Sequence, residues 1–389
     1  MTSTLQARHY LTAEPIDVVV ADGTIAEIRP AIDQDTSLPW IAPGLVDIQV
    51  NGFAGVDFNR PLTDARAWDK ACRALLNHGC THFLATLITN ERSAADGLLA
   101  GLTEAINRTS VRNCVGFHME GPFLNPDPGY RGAHHPDWMT PPDTDLLERW
   151  QEISGQSVRM VTLAPECAME AALPFIRAAT AGGIRIAIGH SSAMGKTLDE
   201  AIRAGADLWT HLGNATPDPN AKFENVIFHT LSRPGLMASV IPDGHHIPPH
   251  ALSVICRALG DRLILITDAM TGAGAPPGRY TICHLEIDIG EDGIARMPDS
   301  GRLAGSTLTP FETVFRAARL TGLPWSEMWT AMSTRPADWL GLSHRLEVGS
   351  AASFCLFQVE PQPRLRATWL NGNAFPISMP AQVERTPRG

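Results

Sequence analysis

The sequence predicts an α/β fold: a (β/α)8 barrel of the TIM type, with a small β-sandwich domain formed by the N- and C-terminal segments. Eight short apolar runs alternate with helix-like segments through the middle of the chain. Both ends instead carry brief β-like runs with hairpin turns. Four of the central runs also stop at a carboxylate or an imidazole, the arrangement expected at the C-terminal rim of a catalytic barrel.

The elements follow in order. Ile16–Val20 and Thr24–Ile28 flank Asp22–Gly23, a strong hairpin signal. At the far end Ser353–Phe357 and Ala367–Leu370 are apolar, and Asn371–Gly372 supplies another turn. Neither end is long enough to fold alone, so the two are expected to pair as one domain, 1–42 with 341–389. The tail from Met379 is expected to fray. Between them, 43–340 is assigned to the barrel. Its candidate strands are Gly44–Val50, Thr81–Thr86, Cys114–His118, Arg159–Leu163, Arg185–Gly189, Leu208–His211, Met237–Ile241 and Leu263–Thr267. Helical patterns cover Asp64–His78, Ala94–Ile106, Ala168–Ala181, Thr197–Ala204 and Pro249–Leu259, then Pro310–Leu320 and Trp325–Met332. His284–Ala295, with its Asp292–Gly293 turn, reads as an insertion after the eighth strand.

Composition narrows the function. A 44 % hydrophobic content allows a substantial core in 389 residues. The net charge of −10 and the lack of a basic stripe argue against nucleic acid as partner. An anionic substrate would therefore need a local binding site. Seven scattered cysteines, with no CxxC pair, read as reduced thiols of a cytoplasmic protein. No signal-like N-terminus and no membrane-length apolar run is present.

Glu120, His190 and His211 end strands three, five and six, so their side chains can converge on one rim. Two imidazoles and a carboxylate suit a divalent metal, with zinc the default and iron or cobalt also compatible. Asp268 ends strand eight. A carboxylate there can take a proton from an attacking water and return it to a leaving amine, although Asp before Ala–Met also suits a helix N-cap. Gln49 and Asn51 end strand one and are expected at the substrate. Amides are poor zinc ligands, which favours one tightly bound metal over two. The breaker-rich loop 125–136 reads as a lid, with His134 able to polarise a carbonyl. Asn214 and Ala215 can offer backbone N–H groups to an anion, and His246 can reach a phosphate. Leu303 and Ala304 lie in a small-residue loop that would let a substrate approach closely. Each of these loops also reads as plain punctuation between elements.

The motifs Pro43–Asp47, His118–Asn125, Arg131–His134, Val161–Glu166, Gly189–Ser191, Thr210–Leu212, Asp243–His246, Thr267–Ala269 and Leu303–Ser306 run in one order along the chain. In that order the chain resembles the N-acetylglucosamine-6-phosphate deacetylases of the amidohydrolase superfamily. The resemblance implies a homodimer, a metal on Glu120, His190 and His211, and Asp268 as base and then acid. It implies His134 at the acetyl carbonyl, and Asn214, Ala215 and His246 near the phosphate, with His246 able to act across the dimer. Gln49 and Asn51 match its one-metal branch. One departure stands out: where that family carries a phosphate-gripping Arg, this chain has Thr216–Asn225, with Lys222 the nearest cation. Lysine lacks arginine's bidentate fork.

The expected reaction is hydrolysis of the N-acetyl group of N-acetylglucosamine-6-phosphate to glucosamine-6-phosphate and acetate. A deacylase acting on a different N-acyl amino sugar or N-acyl amino acid stays open because of Lys222. A non-catalytic binding protein on the same fold is the more distant alternative.

Overall fold

The computed structural model describes residues 2–31, 37–62, 65–217 and 219–377. The tail beyond Met379 and the first residue of the helix expected from Asp64 lie outside them.

Eight parallel strands form the barrel: Leu45–Val50, Cys80–Ile88, Cys114–Glu120, Val158–Leu163, Arg185–Ile188, Leu208–Trp209, Met237–Val240 and Leu263–Leu265. They pair in chain order, each beside its predecessor. The interior is filled by Val46, Ile48, Leu84, Met160, Ala187, Leu208, Ile264 and Ile266. A larger apolar layer lies outside the strands, under helices that include Ala65–Asn77, Arg92–Arg108, Met169–Ala181 and Pro249–Leu259.

The barrel closes at its seam through side chains more than through a ladder. The Thr267 backbone N–H and hydroxyl both donate to the Asp47 carboxylate, the latter at 2.5 Å. Asn51 N–H donates to the Ala269 carbonyl at 2.8 Å, beside a single Val50–Ala269 bridge. Asp47 is fully buried, and burial pushes its carboxyl up to about 7.

The helix Thr144–Ser154 was not among the expected elements, although its signals are local. Asp143 caps its N-terminus by accepting from Asp145 and Leu146 N–H, and left-handed Gly155 ends it. It buries Leu146, Leu147 and Trp150 against the barrel.

The two chain ends join as one seven-stranded sheet. Its spatial order is Asn373–Pro376, Arg364–Leu370, Phe354–Gln358, Trp40–Pro43, Thr2–His9, Pro15–Ala21 and Thr24–Pro30. Val18, Val20 and Ile25 from one half share a core with Phe354 and Trp369 from the other. The opposite face docks on the barrel, where Phe357 stacks on Trp329 at 4.4 Å between ring centroids. Trp329 Nε1 also donates to the Pro43 carbonyl at 2.8 Å.

The insertion after strand eight is a three-stranded antiparallel sheet, Gly278–Ile282, Leu285–Ile289 and Ala295–Arg296, so it starts earlier than His284. Asp57 ties it to the barrel rim by accepting from the Thr281 hydroxyl at 3.1 Å and from Cys283 N–H at 3.0 Å. No described helix is long and apolar enough to cross a membrane.

Candidate active site

Strand ends decide where this site's side chains point. His190, His211 and Asp268 all have positive φ, at 50°, 34° and 49°. A non-glycine residue is held in the left-handed region only when its surroundings over-determine it. Here the chain leaves each strand by that turn, and the three side chains line one cleft with Glu120. Ala215, φ 46°, makes the same turn after strand six.

Glu120 is the hub. Its Oε1 lies 2.9 Å from His211 Nε2 and 3.4 Å from His190 Nε2. Gln49 Nε2 donates to the same oxygen at 2.9 Å. Burial alone would raise the Glu120 carboxyl. The hydrogen bonds and charge of His190 and His211 outweigh it and hold the group well below the usual range. His190 Nδ1 donates to the Tyr130 carbonyl at 2.8 Å, which fixes the ring with Nε2 toward Glu120. Gly132, at φ +57°, passes just over this ring, and a Cβ there would sit 3.0 Å from His190 Cε1.

These donors fit a divalent cation. Two imidazole Nε2 atoms converge on one carboxylate oxygen, and the buried Nδ1 of His211 has no partner among the described residues. His134 adjoins them: ligand atoms of Glu120, His134 and His190 all lie within 4.8 Å of one another. Its Nδ1 is held by the Thr89 hydroxyl at 2.8 Å. Burial, reinforced by His190, keeps the His134 ring well below the ordinary imidazole range and therefore neutral.

Asp268 faces this group from strand eight. Burial pushes its carboxyl up to about 7, and the charge of Glu120 adds to the shift. Asn51 Nδ2 donates to its Oδ1 at 2.7 Å. The strand-one amides thus lie under the two carboxylates, Gln49 on Glu120 and Asn51 on Asp268. The Oδ1 of Asn51 and the Oε1 of Gln49 are buried without partners among the described residues.

The cleft continues past Asn214, Ala215 and His246 to Leu303, Ala304 and Gly305. His246 bonds Asp243 Oδ2 through Nδ1 at 2.6 Å. Burial presses its pKa down, but the Asp243 bond prevails and the net shift is upward. Lys222 is exposed and does not line the cleft, whose lining holds no Lys or Arg among the described residues. Ile88 and Ile282 add apolar walls that the motifs did not single out. Thr89 and Tyr130 also escaped sequence reasoning. One acts through a hydroxyl far away in sequence, and the other through a backbone carbonyl any residue could supply.

Comparison with known proteins sets this geometry in context. A model of the amidohydrolase family matches residues 40–375. The N-acetylgalactosamine-6-phosphate deacetylase of Escherichia coli O157:H7 is 32 % identical over 384 residues, covering 96 % of this chain and 99 % of that protein. The N-acetylglucosamine-6-phosphate deacetylase of Vibrio furnissii is 32 % identical over 336 residues, covering 85 % and 82 %. Among solved structures, a mutant N-acetyl-D-glucosamine-6-phosphate deacetylase from Mycobacterium smegmatis, in complex with N-acetyl-D-glucosamine-6-phosphate, superposes with a TM-score of 0.85. It is 26 % identical, and the match covers 96 % of this chain and 99 % of that one.

Proposed function

The chain belongs to the amidohydrolase family of metal-dependent hydrolases, and we propose that it removes the N-acetyl group of N-acetylglucosamine-6-phosphate, giving glucosamine-6-phosphate and acetate. The observation that carries this reading is the meeting of Asp268 with Glu120, His134, His190 and His211 in one cleft.

Glu120, His190 and His211 would hold the divalent ion, zinc by the nature of the donors. When bound, that ion supplies a Lewis acid and lowers the pKa of water at the acyl carbon. Asp268, as the carboxylate, takes the proton of the attacking water. As the acid, it then returns that proton to the departing amine. Its elevated pKa suits both halves of the task. The Asn51 bond to Oδ1 leaves Oδ2 to the proton. His134, neutral and fixed by Thr89, polarises the acyl oxygen. Asn214, Ala215 and His246 receive the phosphate, and the small residues Ala304 and Gly305 leave room for the sugar. Lys222 joins them only if its exposed loop turns inward. We place the enzyme in the cytoplasm as a homodimer; all seven cysteines are free thiols, in keeping with that compartment.

The end-to-end similarity to the E. coli N-acetylgalactosamine-6-phosphate deacetylase supports a second reading, with the galacto epimer as substrate. Acetate release from N-acetylglucosamine-6-phosphate, N-acetylgalactosamine-6-phosphate and N-acetylglucosamine, measured side by side, separates these. A preference for the gluco phosphate supports the first reading. A preference for its epimer supports the second, and none for phosphate overturns both.

A further inference from the structure

We propose that Glu166 is a positioning residue that clasps His190 and the His134-bearing loop into one metal-competent arrangement. The inference rests on the functional reading above, and it adds a residue that touches neither the cleft nor any group assigned to the chemistry. Glu166 follows strand four in the short helical turn Pro165–Cys167. Four donors converge on its carboxylate. Oε1 accepts from Ser192 N–H at 2.6 Å, Asn125 Nδ2 at 2.9 Å and the Ser192 hydroxyl at 3.2 Å. Oε2 accepts from the Ser191 hydroxyl at 2.7 Å.

These donors come from two segments that the chemistry needs held together. Ser191 and Ser192 directly follow His190, whose positive φ leaves its backbone poorly stabilised by local preference. Asn125 opens the loop that carries Tyr130 and His134. That loop grips His190 twice more: Asn125 N–H donates to the His190 carbonyl at 3.1 Å, and the Tyr130 carbonyl faces His190 Nδ1 at 2.8 Å. Asn125 Oδ1 in turn accepts from Asp127 N–H at 2.9 Å, extending the clasp into the loop. Oε1 alone joins the two segments, accepting from Ser192 and Asn125, and Oε2 adds the Ser191 hydroxyl. Its removal strands the Ser192 N–H and loosens the segment that carries His190, so that His190 Nε2 is held less firmly toward Glu120. Outer partners of metal ligands typically contribute about 10–100-fold in metal affinity or activity.

The test is metal affinity, measured by chelator competition with Zn2+ and Co2+ on the full-length protein, together with kcat, KM and thermal melting. Glu166→Ala should weaken metal binding about 10–100-fold and lower kcat more than KM. Glu166→Gln, which keeps the acceptor for Ser192 and Asn125, should recover most of the metal affinity. Asn125→Ala cuts only the loop limb and should lower kcat with a smaller loss of metal affinity. Metal affinity within twofold of the parent in Glu166→Ala would overturn the proposal. So would equal losses in the Ala and Gln variants, since these would mark a charge effect. If Glu166→Ala does not fold, Ser191→Ala and Asn125→Ala carry the test, and unchanged metal affinity in Ser191→Ala overturns it. The metal readout needs no substrate, so an error about the sugar leaves it intact.

Discussion

The terminal sheet and the barrel mouth both use left-handed residues, but for opposite ends. At two of the sheet's turns they are Asp22–Gly23 and Asn371–Gly372, hairpin pairs that tolerate positive φ at little cost. At the mouth they are His190, His211 and Asp268, with no glycine among them to take up that conformation freely. The sheet thus spends its special backbone where it is cheap and reverses the chain. The mouth uses it where it is costly and aims a side chain. Strain of this kind, about 1–3 kcal/mol per residue, persists only where surrounding contacts enforce it.

The comparison can be broken at either region. Asp268→Asn should lower kcat about 10³–10⁴-fold while the melting temperature stays close to the parent's; near-normal turnover would remove Asp268 from the chemistry. Trp369→Ala, in the core shared by both halves of the sheet, should cost about 3–5 kcal/mol in chemical denaturation with kcat of the folded enzyme unchanged. A loss of kcat instead would mean that sheet and mouth are coupled. His134→Gln should reduce kcat about 10²-fold, read from initial rates with KM recorded alongside.

Acid should separate the regions too. His82 and His344 pack ring to ring at 4.5 Å beneath the barrel. Burial holds both below the ordinary value of 6.5, His82 furthest. The unfolded chain therefore binds protons more readily. The stability this pair contributes is present above about pH 6.5 and drains away as pH falls below it. A denaturation series from pH 8 to 5 checks this, and His82→Phe should flatten the slope. The smallest effect is expected at Gly372. Its φ is 80° and an added Cβ would lie 2.6 Å from Gly23 Cα, so Gly372→Ala should cost about 1 kcal/mol or more.

The same contrast explains what the sequence revealed. All eight barrel strands lie within the expected runs or overlap them, because strands buried on both faces read as continuous apolar segments. Thr2–His9 escaped individual notice, since half of it is exposed and most of its residues are polar. Helices Thr144–Ser154, Val226–Leu231 and Thr334–Leu340 were also missed; the last two are too short for a period to emerge. In the site, residues at strand ends were legible because the fold predicts where they point. Gln49 and Asn51 were expected at the substrate, and their amides are found on Glu120 and Asp268. Such side-chain pairs span long stretches of sequence and leave no local pattern. Lys222 illustrates the converse, a cation conspicuous in the sequence that folding leaves outside the cleft.

The pairing of Trp40–Pro43 with Phe354–Gln358 has a consequence for how the protein is made. During synthesis the hairpin Pro15–Pro30 can form early, but the edge at Trp40 must wait until nearly the whole barrel has emerged. Until then an open strand edge and an apolar face are exposed to other chains. A ribosome that stops before Phe354 would release a barrel with that edge uncovered, prone to associate with its neighbours, so only the full-length product closes its own sheet.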